Sequence, residues 1–429
     1  MNTPVNITEN SSSFRITVFV DICQDYLDYA IDAGDSQVEV TARRIAYRLN
    51  DMHKWIAGLV EAYNLNDASQ IKFVCEPTGG LQHRLLVTAR HYGAELDYVD
   101  TERMYNARMI TYGNAEKTDE KDPWAIRSLY MFGEHHRAMP TEQLHLSVRS
   151  VSRHYEDVSQ QAISARNKIH GLLKYVFVDY KKAAKFTFGR SGQALAQEFS
   201  FCPQFIVNAG YEQFCRRLKA HVPQMRTSTL DELWQMAERS VAVTSRELAD
   251  PRFDQLAWMY KQWMRLEEHK RWLKQQLREF AGLYRQKGLL PAHLPDGVSG
   301  WMLARVIAET GPLHQFRHVR QLWKYIGLKL ARRQSGKYKG QIKITKKGSP
   351  LVRKLLYQIC LPLVQSAGWL RGAYKRQNPS NKRSGEGIRA MTGCMRKFVT
   401  VILAMQHNGQ GFDRYRLSQC ETRYALNKP

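Results

Sequence analysis

Four carboxylates, Asp21, Glu76, Asp119 and Asp122, stand where a metal-dependent phosphodiester enzyme would need them, and a serine, Ser335, lies far downstream in a basic stretch. Asp21 closes an apolar run, Phe14-Arg-Ile-Thr-Val-Phe-Val20, whose bulky and β-branched residues alternate as in a strand. Glu76 closes a second run, Ile71-Lys-Phe-Val-Cys75, and the Pro77-Thr-Gly-Gly80 that follows is a strand-ending turn. Asp119 and Asp122 are three apart in KTDEKD, so on a helix they would share one face. Carboxylates gathered in this way repel one another unless hard divalent cations fill the cluster, and Mg²⁺ prefers oxygen ligands. Paired metals on carboxylates are a standard device for phosphodiester chemistry. The same residues have plainer readings. Asp119 and Asp122 would favour the dipole at a helix start, Glu76 would merely end a strand, and Asp25, Asp28 and Asp32 would be solvated strand-edge charges.

Ser335 lies in ARRQSGKYKGQIKITKKGSP, beside Gly336, which frees the backbone for a tight approach. Arg332, Arg333, Lys337, Lys339, Lys346 and Lys347 surround it in sequence, and Arg353 and Lys354 follow. A serine hydroxyl is a poor nucleophile until something removes its proton or lowers its pKa. On sequence alone a phosphate contact or a turn residue explains it as well. The eight cations form the expected nucleic-acid-binding set.

Those residues need elements to hold them. From 14 to 150 the chain alternates apolar strands with helical stretches, which predicts an α/β domain with a sheet flanked by helices. A ribonuclease-H-like fold is the version that puts acidic side chains on neighbouring strand ends. Strands are expected within 22–31, at 71–75 and at 95–99, and helices over 43–63 and 81–92. From 151 to 290 the pattern becomes helical, with Pro223 and Pro251 separating helices. Leu256, Met259, Trp263, Leu266, Lys270, Leu273, Leu277 and Phe280 follow the 3-4 spacing of a coiled-coil seam. Such a seam would serve self-association, or would pack inside its own subunit. From 291 to 429 a third, mainly helical unit is expected, with a helix over 301–310 whose N-terminus resembles the second half of a helix-hairpin-helix.

Charge divides along the same lines. The 429 residues carry a net charge of +24. Residues 1–122 hold 12 Lys/Arg against 19 Asp/Glu, whereas residues 331–400 hold 17 against one, Glu386. An acidic end suits metal and a basic end suits a phosphate backbone. Interleaved tyrosines and arginines favour nucleic acid over a membrane surface. Seven scattered cysteines without a CxxC pair predict a reduced, cytoplasmic chain with neither disulfide frame nor zinc knuckle. No apolar run is long enough to span a bilayer.

The order FVDICQDYLDYAI, CEPTGG, AEKTDEKDPWAI, then the basic SG segment and TKKGSPLVRKLLY, resembles the DEDD transposases of insertion sequences, the "one-ten" family. The likeness runs from about residue 14 to 413 and ends on GIRAMTGCMRKFVTVILAMQHNGQGFD. It implies a RuvC-like N-terminal domain, a helical coiled-coil middle and a C-terminal transposase domain carrying the serine. Asp21, Glu76, Asp119 and Asp122 would be its metal ligands, for Mg²⁺ or Mn²⁺ as a substitute, and Ser335 its nucleophile. The implied activity is that of an RNA-guided DNA recombinase of an insertion sequence, which joins a strand end to the serine. Its implied partners are donor and target DNA, a structured non-coding guide RNA and further copies of the chain, in the cytoplasm at the nucleoid. A protein-only DNA invertase of the same architecture and a junction-cutting Mg²⁺ nuclease are the alternatives.

Overall fold

The computed structural model describes residues 14–34, 43–77, 80–100, 103–112, 121–138, 143–243, 251–335, 338–365, 368–379, 385–409 and 411–413. The chain divides into two compact units, residues 1–140 and 141–429. The first runs β1 (Ile16–Ile22), β2 (Tyr26–Asp32), β3 (Arg43–Ala46), α1 (Leu49–Ala62), β4 (Ile71–Cys75), α2 (Gln82–His91), β5 (Glu95–Val99), α3 (Met104–Tyr112), α4 (Asp122–Met131) and β6 (His135–Arg137). Its six strands form one mixed sheet in the order β3-β2-β1-β4-β5-β6. β1, β4 and β5 are parallel, while β2, β3 and β6 join the ladder antiparallel.

Strand alternation gives this sheet two different faces. Ile16, Val18, Val20 and Ile22 of β1 and Ile71, Phe73 and Cys75 of β4 enter one core with Trp55 and Ile56 of α1 and Leu85 of α2. Phe19 and Val74 point the other way, into a smaller core with Met104 and Ala107 of α3 and Ala125, Ile126 and Leu129 of α4. Each of the Val, Leu, Ile, Phe and Met side chains among them, once fully buried, contributes roughly 1.5–3 kcal/mol. The period of two therefore fixes which side each acid takes.

The strands at 71–75 and 95–99, the return strand β2 and the helix α2 stand where the sequence places them. The helix expected over 43–63 does not begin until Leu49. Residues 43–46 form edge strand β3 instead, because Arg44 lies opposite Asp28 and pairs with it. Asp28 is thus a buried partner rather than a solvated edge charge, and Asp32 is held by Arg127 of α4. Asp25 alone of the three is exposed, in the β1–β2 turn.

The second unit is mostly helical: α5 (Gln143–Val176), α6 (Ala184–Thr187), α7 (Arg190–Phe199), α8 (Pro203–Ala209), α9 (Tyr211–His221), α10 (Thr227–Val243), α11 (Pro251–Gln286), α12 (Gly300–Thr310) and α13 (Val319–Tyr325) lead to a hairpin. That hairpin is β7 (Leu330–Ser335) with β8 (Tyr338–Ile344), followed by α14 (Pro350–Val364), α15 (Arg371–Gln377) and α16 (Gly385–Asn408).

The two longest helices, α5 and α11, pack antiparallel. His145 shares a hydrogen bond with Tyr284, His154 with His269 at 2.8 Å, and Arg252 lies over the Tyr175 ring. Four of the eight seam residues, Leu256, Trp263, Leu273 and Leu277, are buried, joined by Tyr260, Ala281 and Tyr284. The helix that covers this face is α5 of the same chain. The pair also bridges two cores: residues 162–263 enclose one, and Val148 with residues 277–405 enclose the other.

Candidate active site

Asp21 and Glu76 stand side by side. β1 and β4 are parallel and in register up to Val20 opposite Cys75, so the next residue of each segment is an acid, Asp21 inside β1 and Glu76 just past the end of β4. Asp21 shares the parity of Phe19 and Glu76 continues that of Val74, which directs both to the face covered by α3 and α4. Asp122 opens α4 on that same face and is 1% exposed. Pro123 follows it, a residue suited to the first helical turn because its missing N–H would have no partner there.

A cation lies among these acids. Arg108 of α3 donates to both Asp122 oxygens, Nε to Oδ1 at 2.6 Å and Nη2 to Oδ2 at 2.9 Å. The Asp122 hydrogen bond holds the guanidinium above its ordinary pKa against burial, and the charges of Asp122, Glu76 and Asp21 add to the shift. Burial, reinforced by Asp21 and Glu76, likewise pushes the Cys75 thiol well above its usual range. Asp21 and Glu76 thus act on both groups, and Asp122 acts on Arg108 as well.

Neighbouring acids on the same face are each matched. Arg44 grips Asp28 through both oxygens, Arg127 holds Asp32, and Asp97 has His135 at 2.8 Å and Lys72 at 3.6 Å. Asp119 lies outside the described residues, so its place relative to Asp122 is not part of this geometry.

The donors suit a hard divalent cation in kind, since all are carboxylate oxygens. In arrangement they do not: Arg108 occupies both oxygens of Asp122, and among the described residues no three His, Cys, Asp or Glu side chains are grouped to hold a metal ion. Arg108 carried no sequence signal, being a lone arginine fourteen residues from its partner.

In the second unit Ser335 is the last residue of β7 and pairs with Tyr338, the first of β8. That pair ends the β7–β8 ladder, which has an irregularity between Arg332 and Gln334. The sequence pattern assigns no strands to this basic stretch. Its charged residues hide the alternation that would have announced them. The side chains of residues 332–342 lie outside the described set, which includes Arg332, Arg333, Ser335, Lys337 and Lys339.

Lys346 and Lys347 are exposed just past β8. Gly348 needs its positive φ of 123°, and a Cβ there would lie 2.2 Å from the Tyr325 carbonyl oxygen. Ser349 then caps α14, its hydroxyl accepting from the Val352 amide at 3.3 Å, with Pro350 in the first turn. Arg353 donates to the carbonyls of Ile326 and Gly348, at 3.1 and 2.9 Å. Lys354 pairs with Glu156 of α5. These last two cations brace the fold around the hairpin.

The helix expected over 301–310 is α12, and Met302 to Thr310 are all buried. Within it Arg305, 1% exposed, donates to Ser152 Oγ at 2.9 Å and to Glu156 at 3.2 Å, and faces the Tyr155 and Trp301 rings. Burying so large a cation is tolerable only because it is paired and hydrogen-bonded.

Two family models match this chain. One, described as Transposase IS116/IS110/IS902 family, matches residues 295–375, and the other, a DEDD model described as Transposase, matches residues 30–178. Together they span more than half of the 429 residues. The chain belongs to the IS110 family of transposases. It is therefore an enzyme that acts on DNA. The N-terminal match of this transposase includes Glu76, Asp119 and Asp122 and begins after Asp21, whose place rests on the sheet geometry. The C-terminal match includes Ser335 and all eight basic residues named above. No curated protein matches the chain. Among the described residues no helix of the transposase is long and apolar enough to cross a membrane.

Proposed function

We propose that this transposase is an RNA-guided DNA recombinase of an insertion sequence, cutting and rejoining strands through a phosphoserine link at Ser335. The observation that carries this reading is the placement of Asp21 and Glu76 on adjacent parallel strand ends, in one field with Asp122. That arrangement, in a mixed sheet with helices on both faces, supports a RuvC-like fold for the N-terminal unit. Asp21, Glu76, Asp122 and Asp119 are the residues that would hold Mg²⁺ once Arg108 has released Asp122. When bound, the cation supplies Lewis-acid stabilisation of charge on phosphate oxygens.

Ser335 attacks phosphorus through Oγ, forms the Oγ–P bond and displaces a deoxyribose oxygen. Its proton leaves to a base, and the strand-end hydroxyl departs. The phosphodiester energy is kept in the ester, so reversal by another strand's hydroxyl rejoins DNA and frees the serine. The basic set around the hairpin supports a role in holding phosphates without reading bases. A protein of this kind leaves sequence choice to base pairing with a guide RNA.

Mixing the purified protein with DNA carrying the element's ends and Mg²⁺, then resolving products under denaturing conditions, tests this reading. A protein-linked strand that disappears in Ser335→Ala is expected. Nicked DNA without a linked strand overturns it in favour of a water-using nuclease. Sequencing RNA that co-purifies tests the guide separately: a discrete transcript from DNA flanking the gene is expected, and its absence removes RNA guidance.

A further inference from the structure

Among the described acids Asp122 is the least exposed. It is 1% exposed, its side chain lies against an arginine that is itself 11% exposed, and both its oxygens accept from that arginine. A bidentate guanidinium–carboxylate pair is a strong, directional contact, and breaking a buried pair is costly because it leaves a charge unmatched. A divalent cation supplies the replacement charge that makes such a break tolerable. Arg108 is also drawn by Glu76 and Asp21, so it serves the cluster and not Asp122 alone.

We propose that Arg108 is the built-in counter-ion of the acidic site, closing Asp122 to metal until the guanidinium is exchanged for a divalent cation. This inference rests on the metal-binding reading above and adds a competitor to it. With Arg108 in place, one of the three like charges converging from β1, β4 and α4 is offset without metal. With metal in place, the like charge of the guanidinium opposes the cation, and its two hydrogen bonds take half of the roughly four lone-pair sites on Asp122, so Arg108 weakens metal binding until it gives way. The resting protein therefore has weak affinity for metal by design of α3, which brings Arg108 to the start of α4.

The test is Mn²⁺ binding to the full-length protein without nucleic acid, read by electron paramagnetic resonance of free Mn²⁺, with circular dichroism melts to confirm folding. Arg108→Gln should bind Mn²⁺ at least about tenfold more tightly than wild type, the scale on which one neighbouring unit charge shifts an ionisation equilibrium. Arg108→Lys, which engages a single oxygen and preserves packing, should fall between the two. The gain should vanish in the double variant Arg108→Gln/Asp122→Asn. Equal or weaker binding in the folded single variants overturns the counter-ion role while leaving the metal site standing. Binding in none of the proteins overturns both the role and the metal reading.

Discussion

Asp21 lies directly opposite Asp28 across the antiparallel β1–β2 ladder. Like charges facing each other on neighbouring strands destabilise a sheet. Here Arg44 offsets the second charge, gripping both Asp28 oxygens at 2.8 and 2.9 Å from edge strand β3. The strand that the sequence disguises as a helix start thus protects the environment of Asp21.

Arg44→Ala should accordingly lower stability, because it strands a carboxylate whose side chain is 4% exposed. Arg44 is itself half exposed, so the loss should be moderate, about 1–2 kcal/mol. Urea unfolding of the full-length protein measures it. An unchanged midpoint would show that Asp28 is satisfied without Arg44.

Asp21→Asn and Glu76→Gln should separate chemistry from folding. Each removes one charge from the shared field while preserving shape. Strand exchange should fall by roughly a hundredfold or more, the effect of deleting one group that stabilises transition-state charge. Stability should change by no more than about 1 kcal/mol. Parallel rate and melting measurements decide this, and a variant that recombines normally would remove its residue from the site.

Acid should loosen the second unit through Glu156. Burial raises the pKa of this carboxyl, but hydrogen bonds from Lys354, Gln160 and Arg305 outweigh burial and leave it below the ordinary 4.5. A carboxylate whose folded-state pKa is depressed contributes stability that is present above 4.5 and lost as the pH falls through the lower folded value. Unfolding midpoints should therefore drop below that pH, and Glu156→Gln should flatten the drop while lowering stability at neutral pH. An identical acid profile in the variant would contradict the assignment.

What could be read from the sequence was what depends on neighbours in sequence. β4 is a short, largely apolar run that stops before Glu76-Pro77, and β5 alternates Glu95 and Asp97 with Leu96 and Tyr98, so both could be read from neighbouring residues. The positions of Asp21 and Glu76 after such runs placed them at strand ends. What could not be read depends on partners brought by folding. Arg44 and Arg108 owe their roles to acids sixteen and fourteen residues away. The seam of α11 was legible as a spacing, but its partner, α5, lies far earlier in the chain and leaves no mark on the α11 segment. The β7–β8 hairpin was hidden because arginine and lysine occupy positions where alternation is normally visible. Asp119 and the Ser335 side chain belong to residues outside the described set, so the sequence and the family matches alone speak for them.

The most direct measurement is the chemical identity of the attachment point. Protein-linked DNA formed with Mg²⁺ is digested with nuclease and protease, and the nucleotide-bearing peptide is sequenced by mass spectrometry. The account predicts the modification on Ser335, within the segment that pairs with Tyr338. A nucleotide on any other residue, Ser349 or Tyr338 included, would contradict it.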